Sequence, residues 1–448
     1  FSEAAWMRSR VHVEAEYLVA LSGENVIRSL SDQETGFLRG LYRNFSLTDA
    51  ADVKKIEKER AKSHDIKAIE YWIGDRFADT SLTDLKPKIH FGLTSEDVDN
   101  IAITYLFKES VKADYLPSVL EIGENLYSLS DRHKALSMLG RTHGKAAATT
   151  TAGKEIAVYV NRVQESAERI AALRNELPGK MNGPVGTYDP MTTTYPDHDW
   201  MKFSEKFVSL FGLVPYHATT QLLPHDRISR LFREIVGMND ILEDMSQNFW
   251  RYVSDDWFSL VAGQRGISSI MAHKRNPEEF ENAEGNLQIS STLLNFMASK
   301  LQKSRLQRDL SGSTVRRNYG VAMAHALLGY GNIKEGLNVM NIDEREDSKM
   351  LADLYSHPEI LSTNMQTILR SVGSEGAYEK LQEMTRGKHV TSEQMAQFVD
   401  SLDVDDAVKK RLKSLDIRDS ARASDIVDDV LVKTRSTLDR LKTELANA

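Results

Sequence analysis

Residues 226–257 read DRISRLFREIVGMNDILEDMSQNFWRYVSDDW. Their apolar side chains recur at spacings of three and four, which places them along one face of a helix. The members of this stripe are Ile228, Leu231, Ile235, Met238, Leu242, Met245, Phe249 and Val253. At a rise of about 1.5 Å per residue such a helix is roughly 45–50 Å long. A helix of that length predicts a long bundle and burial against other copies of the chain.

The same periodicity recurs elsewhere in the chain. One stripe runs from Ile156 to Ile170, and another helical stretch follows Pro277 and continues past Leu301. No sustained alternation with period two is present, so we expect any sheet to be small. Six of the ten prolines fall between Glu176 and His225, and we expect that segment to be mostly connection. It is either an element of a site or a structural crossover.

Composition excludes several classes of protein. The 448 residues carry a net charge of −8, which argues against a general nucleic-acid binder, and the absence of cysteine excludes disulfides and thiolate chemistry. No apolar run reaches the length of a membrane span. The first residues, FSEAAW, lack the pattern of a signal peptide, and we expect further residues to precede them. No phosphate-binding loop, zinc motif or dinucleotide motif is present, so we expect no cofactor and no metal.

The densest cluster of polar residues is Gly266-Ile-Ser-Ser-Ile-Met-Ala-His-Lys-Arg-Asn-Pro277. Pro277 stands where a helix can begin, with Glu278 and Glu279 in its first turn. A polar loop before a helix presents hydroxyls and amides to an anion, and Lys274 adds a charge for a carboxylate or a phosphate. Spacing alone leaves two interpretations open, a catalytic loop and an ordinary capped loop.

A second candidate is Arg141-Thr-His-Gly144, in which His143 stands between a hydroxyl and a glycine just before a helical pattern. A histidine in this setting is able to act as a general acid or base. A structural histidine that hydrogen-bonds within the fold is the alternative interpretation.

Three other segments carry residues suited to anions. Thr94 and Asp97 resemble a capping box, and the free amides of that helix N-terminus attract a phosphate or carboxylate. Residues 63–65, Ser-His-Asp, place an imidazole beside an acid. Residues 307–318, QRDLSGSTVRRN, combine arginines with hydroxyls in a manner that suits phosphate. Taken singly, each segment is equally compatible with a solvated surface.

Taken together, these segments resemble the fumarase/aspartase superfamily and, within it, the adenylosuccinate lyase branch. The superfamily signature Ser-Ser-x-Met-Pro-x-Lys-x-Asn-Pro is closely matched by Ser268-Ser-Ile-Met-Ala-His-Lys-Arg-Asn-Pro277. Arg-Thr-His-Gly, His-Asp-x-Lys-Ala, Thr-Ser-Glu-Asp and Gln-Arg-Asp-Leu-x-x-Ser-Thr-Val also occur, in the family's order. The motifs Thr219-Thr-Gln-x-x-Pro-His-Asp226 and Tyr378-Glu-Lys-Leu, followed by Thr385-Arg-Gly-Lys388, resemble the branch. The resemblance runs from about Arg10 to Arg418.

The resemblance implies a β-elimination that releases fumarate from adenylosuccinate, giving AMP, and from the earlier succinyl-carboxamide ribotide, SAICAR. It implies that Ser268 is the general base and that Lys274 and Asn276 stabilise the resulting carbanion. His143 is then the general acid that protonates the departing nitrogen, and Glu281 orients it. The residues implied in catalysis are His143, Ser268, Lys274, Asn276, Glu281 and His64.

The resemblance also implies the substrate contacts and the architecture. The implied substrate ligands are Ser63, His64, Asp65, Thr94, Ser95, Thr142, Gln221, Ser269, Lys274, Asn276, Asn282, Arg308, Ser313 and Arg317. The implied fold is all-α with three domains, an N-terminal helical domain over residues 1–92, a central long-helix bundle with the signature loop over 93–336, and a C-terminal helical domain over 337–448. The implied assembly is a cytoplasmic homotetramer whose active sites are shared by three subunits, with no nucleic-acid or membrane partner.

Several positions depart from the family pattern. Ile267 replaces the usual glycine, Ala272 replaces the signature proline, and Lys145-Ala146 replaces Gln-Pro. The first two changes alter the backbone freedom of the loop, and Lys145 adds a charge near His143. Two alternatives therefore stay open, a sister lyase acting on another N-succinyl compound such as argininosuccinate, and a helical homologue without catalytic activity.

Overall fold

The computed structural model describes residues 1–261, 270–271, 273–386 and 390–447. These residues are mostly helical and contain three sheets of two strands each, which confirms the prediction of a mostly helical fold with little sheet. They form two compact units. Unit 1 comprises Phe1–Pro117, Ser166–Asp240 and Leu287–Leu327, and unit 2 comprises Ser118–Glu165, Ile241–Asn286 and Leu328–Ala448. The division into three domains stays a prediction.

The α-helices follow in chain order. They are α1 (Glu3–Gly23), α2 (Asp32–Arg43), α3 (Leu47–Glu59), α4 (Asp65–Arg76), α5 (Ser95–Ser110), α6 (Leu116–Arg132), α7 (Ala152–Asn175), α8 (Asp189–Thr194), α9 (Trp200–Ser209), α10 (Asp226–Ser254), α11 (Glu278–Lys300), α12 (Ser311–Arg316), α13 (Tyr319–Asn338), α14 (Lys349–Tyr355), α15 (Ser362–Ser371), α16 (Ala377–Thr385), α17 (Ser392–Ser401), α18 (Asp406–Lys413) and α19 (Ala423–Asn447). Short 3-10 helices cover Thr83–Lys88 and Pro358–Leu361, and a π-helical turn covers Val111–Tyr115.

The strands pair two by two. They are β1 (Ser137–Thr142), β2 (Lys145–Thr151), β3 (Pro178–Gly179), β4 (Val214–Pro215), β5 (Phe258–Leu260) and β6 (Met340–Ile342). β1 pairs with β2 and β5 with β6 in antiparallel fashion, whereas β3 and β4 are parallel.

The long helices follow the sequence pattern. Along α10 the predicted stripe is buried from Ile228 to Phe249, and Val253 near the end is half-buried. The helix ends at Ser254, slightly before the predicted Trp257, and Asp256 then adopts a left-handed φ of 58° that no α-helix continues. α11 begins directly after Pro277, as predicted. The helices α7, α10, α11 and α13 each contribute residues to both units.

The core of unit 1 contains an aromatic group from three helices. Phe107 of α5, Phe232 of α10 and Tyr319 of α13 lie with ring centroids 5.0 to 5.8 Å apart in tilted or edge-on arrangements. Edge-to-face pairs of this kind add about 0.5–1.5 kcal/mol each beyond the area that they bury. This group fixes the three helices against one another within the unit.

The described residues of unit 2 include two apolar clusters. In the first, Phe249 of α10 packs against Phe258 of β5 and Phe280 of α11, with centroid distances of 5.8 and 5.9 Å. The second lies among the C-terminal helices and consists of Met365, Ile368, Leu369, Leu381, Val390, Met395, Val399, Leu402 and Leu412. The C-terminal helices thus have their own buried core.

The proline-rich segment from Glu176 to His225 is mostly connection, as predicted, since more than half of its residues lie outside helices and strands. It nevertheless contains α8, α9 and the parallel pair of β3 and β4. The aromatic residues Trp200, Phe203 and Phe207 of α9 are buried and give the segment an apolar face. None of the helices in the described part of the chain combines the length and apolarity that crossing a membrane requires.

Candidate active site

The N-terminus of α5 holds the predicted pair Thr94 and Ser95. Thr94 and Asp97 form the expected capping box, in which the Thr94 N–H donates to Asp97 Oδ2 at 2.9 Å. Both Thr94 and Ser95 are half-buried, so part of each side chain faces solvent. The positive end of a helix dipole at this position favours an anionic group.

The Ser-His-Asp segment lies at the start of α4. Ser63 adopts a left-handed φ of 64°, and the His64 side chain caps the helix, its Nδ1 accepting the backbone N–H of Lys67 at 3.3 Å. An imidazole that accepts at Nδ1 carries its proton on Nε2 when it is neutral. Both side chains are exposed, and His64 therefore presents an Nε2 donor to a ligand.

Asp65 joins this segment to a buried arginine. Arg10 is 3% exposed and pairs with Asp65 at 2.8 Å and with Asp99 at 2.7 Å. Arg317, whose side chain is about half exposed, lies 3.5 Å from Asp65. Burial raises the pKa of Asp65, but Arg10 and the Ile66 amide outweigh it and lower the pKa overall. Asp65 is consequently ionised and held in place.

A second arginine group of unit 1 contains Arg308 and Arg316. Arg316 binds both oxygens of Glu96 at 2.6 and 2.9 Å, and both side chains are buried. Arg308 donates to Gln221 Oε1 at 2.7 Å and lies 3.9 Å from Glu96. Arg308 and the predicted Ser313 also line one small cleft. The structure thus brings Gln221, Arg308 and Ser313 into one part of unit 1.

His225 also lines that cleft and is buried. Burial, followed by the charge of Arg316, lowers the pKa of His225 to about 3. Its folded pKa is below the unfolded value near 6.5, so its contribution to stability is complete above pH 6.5 and declines as the pH falls toward 3.

We expect His225→Asn to reduce the acid sensitivity of the fold. For the wild type, this histidine removes about 1.5 kcal/mol of unfolding free energy between pH 6.5 and 5, because only the unfolded chain takes up its proton. Urea unfolding at pH 6.5 and at pH 5 measures this difference. Between the two pH values the unfolding free energy should fall by about 1.5 kcal/mol less in the variant than in the wild type, whatever the variant's stability at pH 6.5. An unchanged loss would contradict the effect of burial on this group.

His143 lies at the tip of a hairpin in unit 2, and not directly before a helix as the sequence suggested. It forms with Gly144 the two-residue connection between β1 and β2, and the two residues have φ values of 52° and 73°. Left-handed φ at both central positions defines a type I′ turn, whose twist matches that of the strands. His143 and the adjacent Thr142 are exposed, so the imidazole projects from a rigid support.

The described part of the signature loop leads into α11. Lys274 is exposed and Asn276 half-buried, while Arg275 is held by the buried Glu279 at 2.7 Å. Glu281 in the first turn of α11 is exposed and accepts a hydrogen bond from the Trp250 indole at 2.9 Å. Asn282 follows it and is also exposed. Ser268 and Ser269, together with Ile267 and Ala272, lie outside the described residues.

The predicted residues therefore divide between the two units. Unit 1 contains Ser63, His64, Asp65, Thr94, Ser95, Gln221, Arg308, Ser313 and Arg317, and unit 2 contains Thr142, His143, Lys274, Asn276, Glu281 and Asn282. Within unit 2 the described residues place Glu281 against Trp250, and no hydrogen bond joins Glu281 to His143. The orientation of His143 by Glu281 stays a prediction.

A cavity of about 830 Å³ follows the β1–β2 hairpin in unit 2, and sequence reasoning missed it. Thr142 and Gly144 line it beside Tyr252 and Trp257. Arg141, which the sequence motif contains, pairs with Asp353 at 2.6 Å and lies over the Trp257 ring. The described residues contain no group of three or more histidine and carboxylate side chains arranged to hold a metal ion.

Sequence reasoning also missed the buried charges that support the site. Arg10 supports Asp65 in space, and Glu96 stands beside the predicted Ser95 in sequence. Arg316, which the motif at 307–318 offered to a phosphate, is instead buried against Glu96. The sequence offered one signal for these residues, which is a charged residue within an otherwise apolar helical face. Such a residue is buried only when a side chain of opposite charge pairs with it.

Comparison with known proteins identifies the family of the chain. A family model described as Lyase matches residues 2–289, and one described as Adenylosuccinate lyase C-terminal matches residues 304–419. The chain is 37% identical to the adenylosuccinate lyases of Haemophilus influenzae and Escherichia coli K12 over 421 residues, which is 93% of this chain and 91% of each relative. It is 38% identical to that of Buchnera aphidicola over 424 residues, with the same coverage.

Two solved structures have a similar fold at low identity. The fumarate lyase of Mesorhizobium sp. BNC1 superposes with a TM-score of 0.76 at 15% identity and covers 96% of both chains. The 3-carboxy-cis,cis-muconate lactonizing enzyme of Pseudomonas putida gives a TM-score of 0.78 at 13% identity, covering 98% of this chain and 96% of its own. These two likenesses concern the fold alone.

Proposed function

Because the chain belongs to the adenylosuccinate lyase family, we propose that it cleaves adenylosuccinate to AMP and fumarate by β-elimination. The observation that carries the proposal is 37% identity over 93% of the chain to lyases of that name. The same reaction on SAICAR is part of the proposal, since the bond to be broken has the same chemistry. The reaction needs no cofactor, and the cytoplasmic location stays a prediction.

In the proposed mechanism, Ser268 removes a proton from the carbon beside a succinyl carboxylate. The electron pair left on that carbon forms the double bond of fumarate as the carbon–nitrogen bond breaks. Lys274 and Asn276 stabilise the carbanion, because fixed donors aimed at developing charge lower the barrier. His143 gives its proton to the departing nitrogen and Glu281 orients His143. The exposure of Lys274 and His143 supports these roles, since both reach a ligand without rearrangement of the core.

The proposed substrate contacts come from both units. Ser63, His64 and Asp65, with Thr94 and Ser95, hold the succinyl part of the substrate. The proposed contacts on the carboxylates, the base and the phosphate are Thr142, Gln221, Ser269, Asn282, Arg308, Ser313 and Arg317. The positive end of α5 and the arginines of unit 1 support a ligand of several negative charges.

The proposal includes a homotetramer of three-domain subunits in which three subunits share each site. Exposed apolar side chains on the long helices support it. Ile289 and Phe296 on α11 are 47% and 55% exposed, and Val321 and Leu328 on α13 are 46% and 57% exposed. Members of each pair are seven residues apart and lie on one helix face, so each helix presents an apolar stripe of the kind that another subunit covers.

We expect the reaction to depend on the substrate's 5′-phosphate. Removing the phosphate should lower kcat/KM by about 10- to 100-fold, because a charged hydrogen bond contributes about 1.5–3 kcal/mol. The measurement is the absorbance change on fumarate release from adenylosuccinate and from succinyladenosine. Arg308→Ala should reduce the difference between the two substrates, whereas Arg305→Ala, an 86% exposed arginine in the same loop, should preserve it.

Three results would oppose the proposal in different ways. Equal turnover of both substrates contradicts the phosphate contact. Turnover of argininosuccinate in place of adenylosuccinate favours the sister lyase. Absence of fumarate release from adenylosuccinate, SAICAR and argininosuccinate by the folded protein favours a homologue without catalytic activity.

A further inference from the structure

A fully buried ion pair in unit 1 joins α5 to the segment that follows β3. Lys180 Nζ lies 2.9 Å from Asp97 Oδ1, and neither side chain has exposed surface. Asp97 is the acid of the α5 capping box, so the same carboxylate that fixes Thr94 also binds Lys180. A buried pair of this kind costs desolvation on both sides and is a poor source of stability by itself. Stability alone therefore does not explain why Lys180 and Asp97 are buried together.

The segment is fastened to α5 at several further points. Asp97 also accepts the backbone N–H groups of Asn182 at 3.0 Å and of Gly183 at 3.1 Å. Asn100, one turn further along α5, accepts the Lys180 N–H and donates to the Lys180 carbonyl, both at 2.9 Å. Residues 180–183 are consequently held to the first two turns of α5 through both backbone and side chain.

From there Asn182 reaches the segment before α10. Its buried amide donates to the His217 carbonyl at 3.1 Å and to the Thr219 hydroxyl at 2.8 Å. The next contact along this segment is made by Gln221, which donates to the Pro184 carbonyl at 3.0 Å and accepts from Arg308 at 2.7 Å. Hydrogen bonds, together with the short backbone stretches 183–184 and 219–221 between them, thus connect Thr94 to Arg308.

The two segments also meet backbone to backbone. Gly186 has a φ of 81°, and a Cβ built on it would lie 2.4 Å from the Thr219 carbonyl oxygen. No side chain fits at that position, so glycine allows the approach that brings Thr219 within reach of Asn182. Because the two backbones are already in contact, the segment around Thr219 cannot move closer to compensate for a change at Asn182.

We propose that Lys180 and Asn182 are positioning residues, which hold the Thr94–Ser95 end of α5 and the Gln221–Arg308 pair at one fixed separation so that both bind the same anionic substrate. The inference rests on the proposed function and deepens it. A fixed separation favours binding because the protein does not have to order these groups when the substrate arrives. Neither Lys180 nor Asn182 needs to touch the substrate for this effect.

The test replaces Thr219, the less buried partner of the hydrogen bond to Asn182, so that an effect on substrate binding can be measured apart from an effect on stability. Thr219 is half-buried, and Thr219→Val removes only the hydroxyl that meets Asn182. Asn182→Ala removes the side-chain hydrogen bonds to both the His217 carbonyl and the Thr219 hydroxyl, and it leaves the backbone bond to Asp97 in place. We expect KM for adenylosuccinate to rise about fivefold in Thr219→Val and about tenfold in Asn182→Ala, with kcat falling less than about threefold, because ground-state binding is what is lost.

Two comparisons make the result specific. Thr48→Val, the same change at an exposed residue of α3 in unit 1, should leave KM and kcat within about twofold of wild type. The double variant Thr219→Val/Asn182→Ala should have a KM no higher than Asn182→Ala alone, because the two changes break one connection. The melting temperature of each variant is measured alongside its kinetics. If Thr219→Val raises KM and leaves the melting temperature unchanged, the positioning role is supported.

The inference and the proposed function fail in different ways. If the wild type releases fumarate and Thr219→Val and Asn182→Ala keep its KM, the positioning role is overturned and the function stands. If their KM effects simply multiply in the double variant, the two residues act separately and the positioning role is also overturned. If the wild type itself cleaves none of the succinyl substrates, the proposed function is overturned.

Discussion

Replacing His143 by asparagine is expected to lower kcat for adenylosuccinate by about 10²- to 10⁴-fold, the usual contribution of a general acid. The substitution removes the titratable ring and leaves a side chain that cannot protonate a departing nitrogen. It should not disturb the hairpin, because asparagine followed by glycine is the preferred pair for a turn with left-handed φ at both central residues. We therefore expect the unfolding free energy to stay within about 1 kcal/mol of wild type.

Turnover measured by fumarate release and unfolding measured by urea together test this prediction. His357→Asn serves as the matched control, since His357 lies in the C-terminal part of the chain and hydrogen-bonds Glu359 at 2.8 Å. Its kcat should stay within about twofold of wild type. If His143→Asn retained near-normal turnover, the general acid would have to be another group, and His64 with its Nε2 donor would be the next candidate to replace.

Replacing Arg316 by methionine is expected to lower the unfolding free energy by about 3–5 kcal/mol, because it leaves the Glu96 carboxylate buried without its partner. Glu96 has no exposed side-chain surface, and Arg316 binds both of its oxygens. Water is therefore unable to replace the lost donors. The double variant Arg316→Met/Glu96→Gln should recover more than half of the loss, since it removes both charges together.

Urea unfolding at a single protein concentration measures these differences, because association of subunits makes apparent stability depend on concentration. Arg422→Met is the control for the loss of an arginine at the surface. Its side chain is 82% exposed and pairs with Asp425, so we expect a change below about 1 kcal/mol. If Arg316→Met lost as little unfolding free energy as Arg422→Met, Glu96 would have found another partner. Arg308, at 3.9 Å, is the nearest candidate.

The sequence was most informative where a feature is local. The stripe of α10 predicted a long helix because its period alone places those side chains on one face. The capping box at Thr94 and Asp97 predicted the start of α5, and the proline at 277 predicted the start of α11. Each of these signals involves residues within one or two turns of one another, so no knowledge of the remaining fold was required.

The hairpin that carries His143 was missed because its strands have an untypical composition. β2 reads KAAATTT, and its alanines favour helix over strand, so the segment looked like the beginning of α7. The turn itself is His-Gly, whereas the usual signal is Asn-Gly or Asp-Gly. Histidine is nevertheless one of the residues that enter the left-handed region more often than most, and that property was the available clue.

The support of the site was missed because it is non-local. Arg316 and Glu96 are 220 residues apart in sequence, and no pattern in either segment indicates that they meet. The same holds for Asn182 and the segment before α10. The sequence motifs therefore predicted candidate groups for a ligand, whereas the contacts that hold those groups required the three-dimensional structure.

The short hairpin at His143 limits how the gene can change over evolutionary time. Its pairing has one bulge, between Gly140 and Arg141, and then continues without interruption to the turn. Because neighbouring strand residues point to opposite faces, inserting or deleting one codon near the turn would reverse the side on which the imidazole emerges. Descendants can therefore exchange amino acids along these strands, as Lys145 and Ala146 illustrate, but they cannot readily tolerate changes of length there.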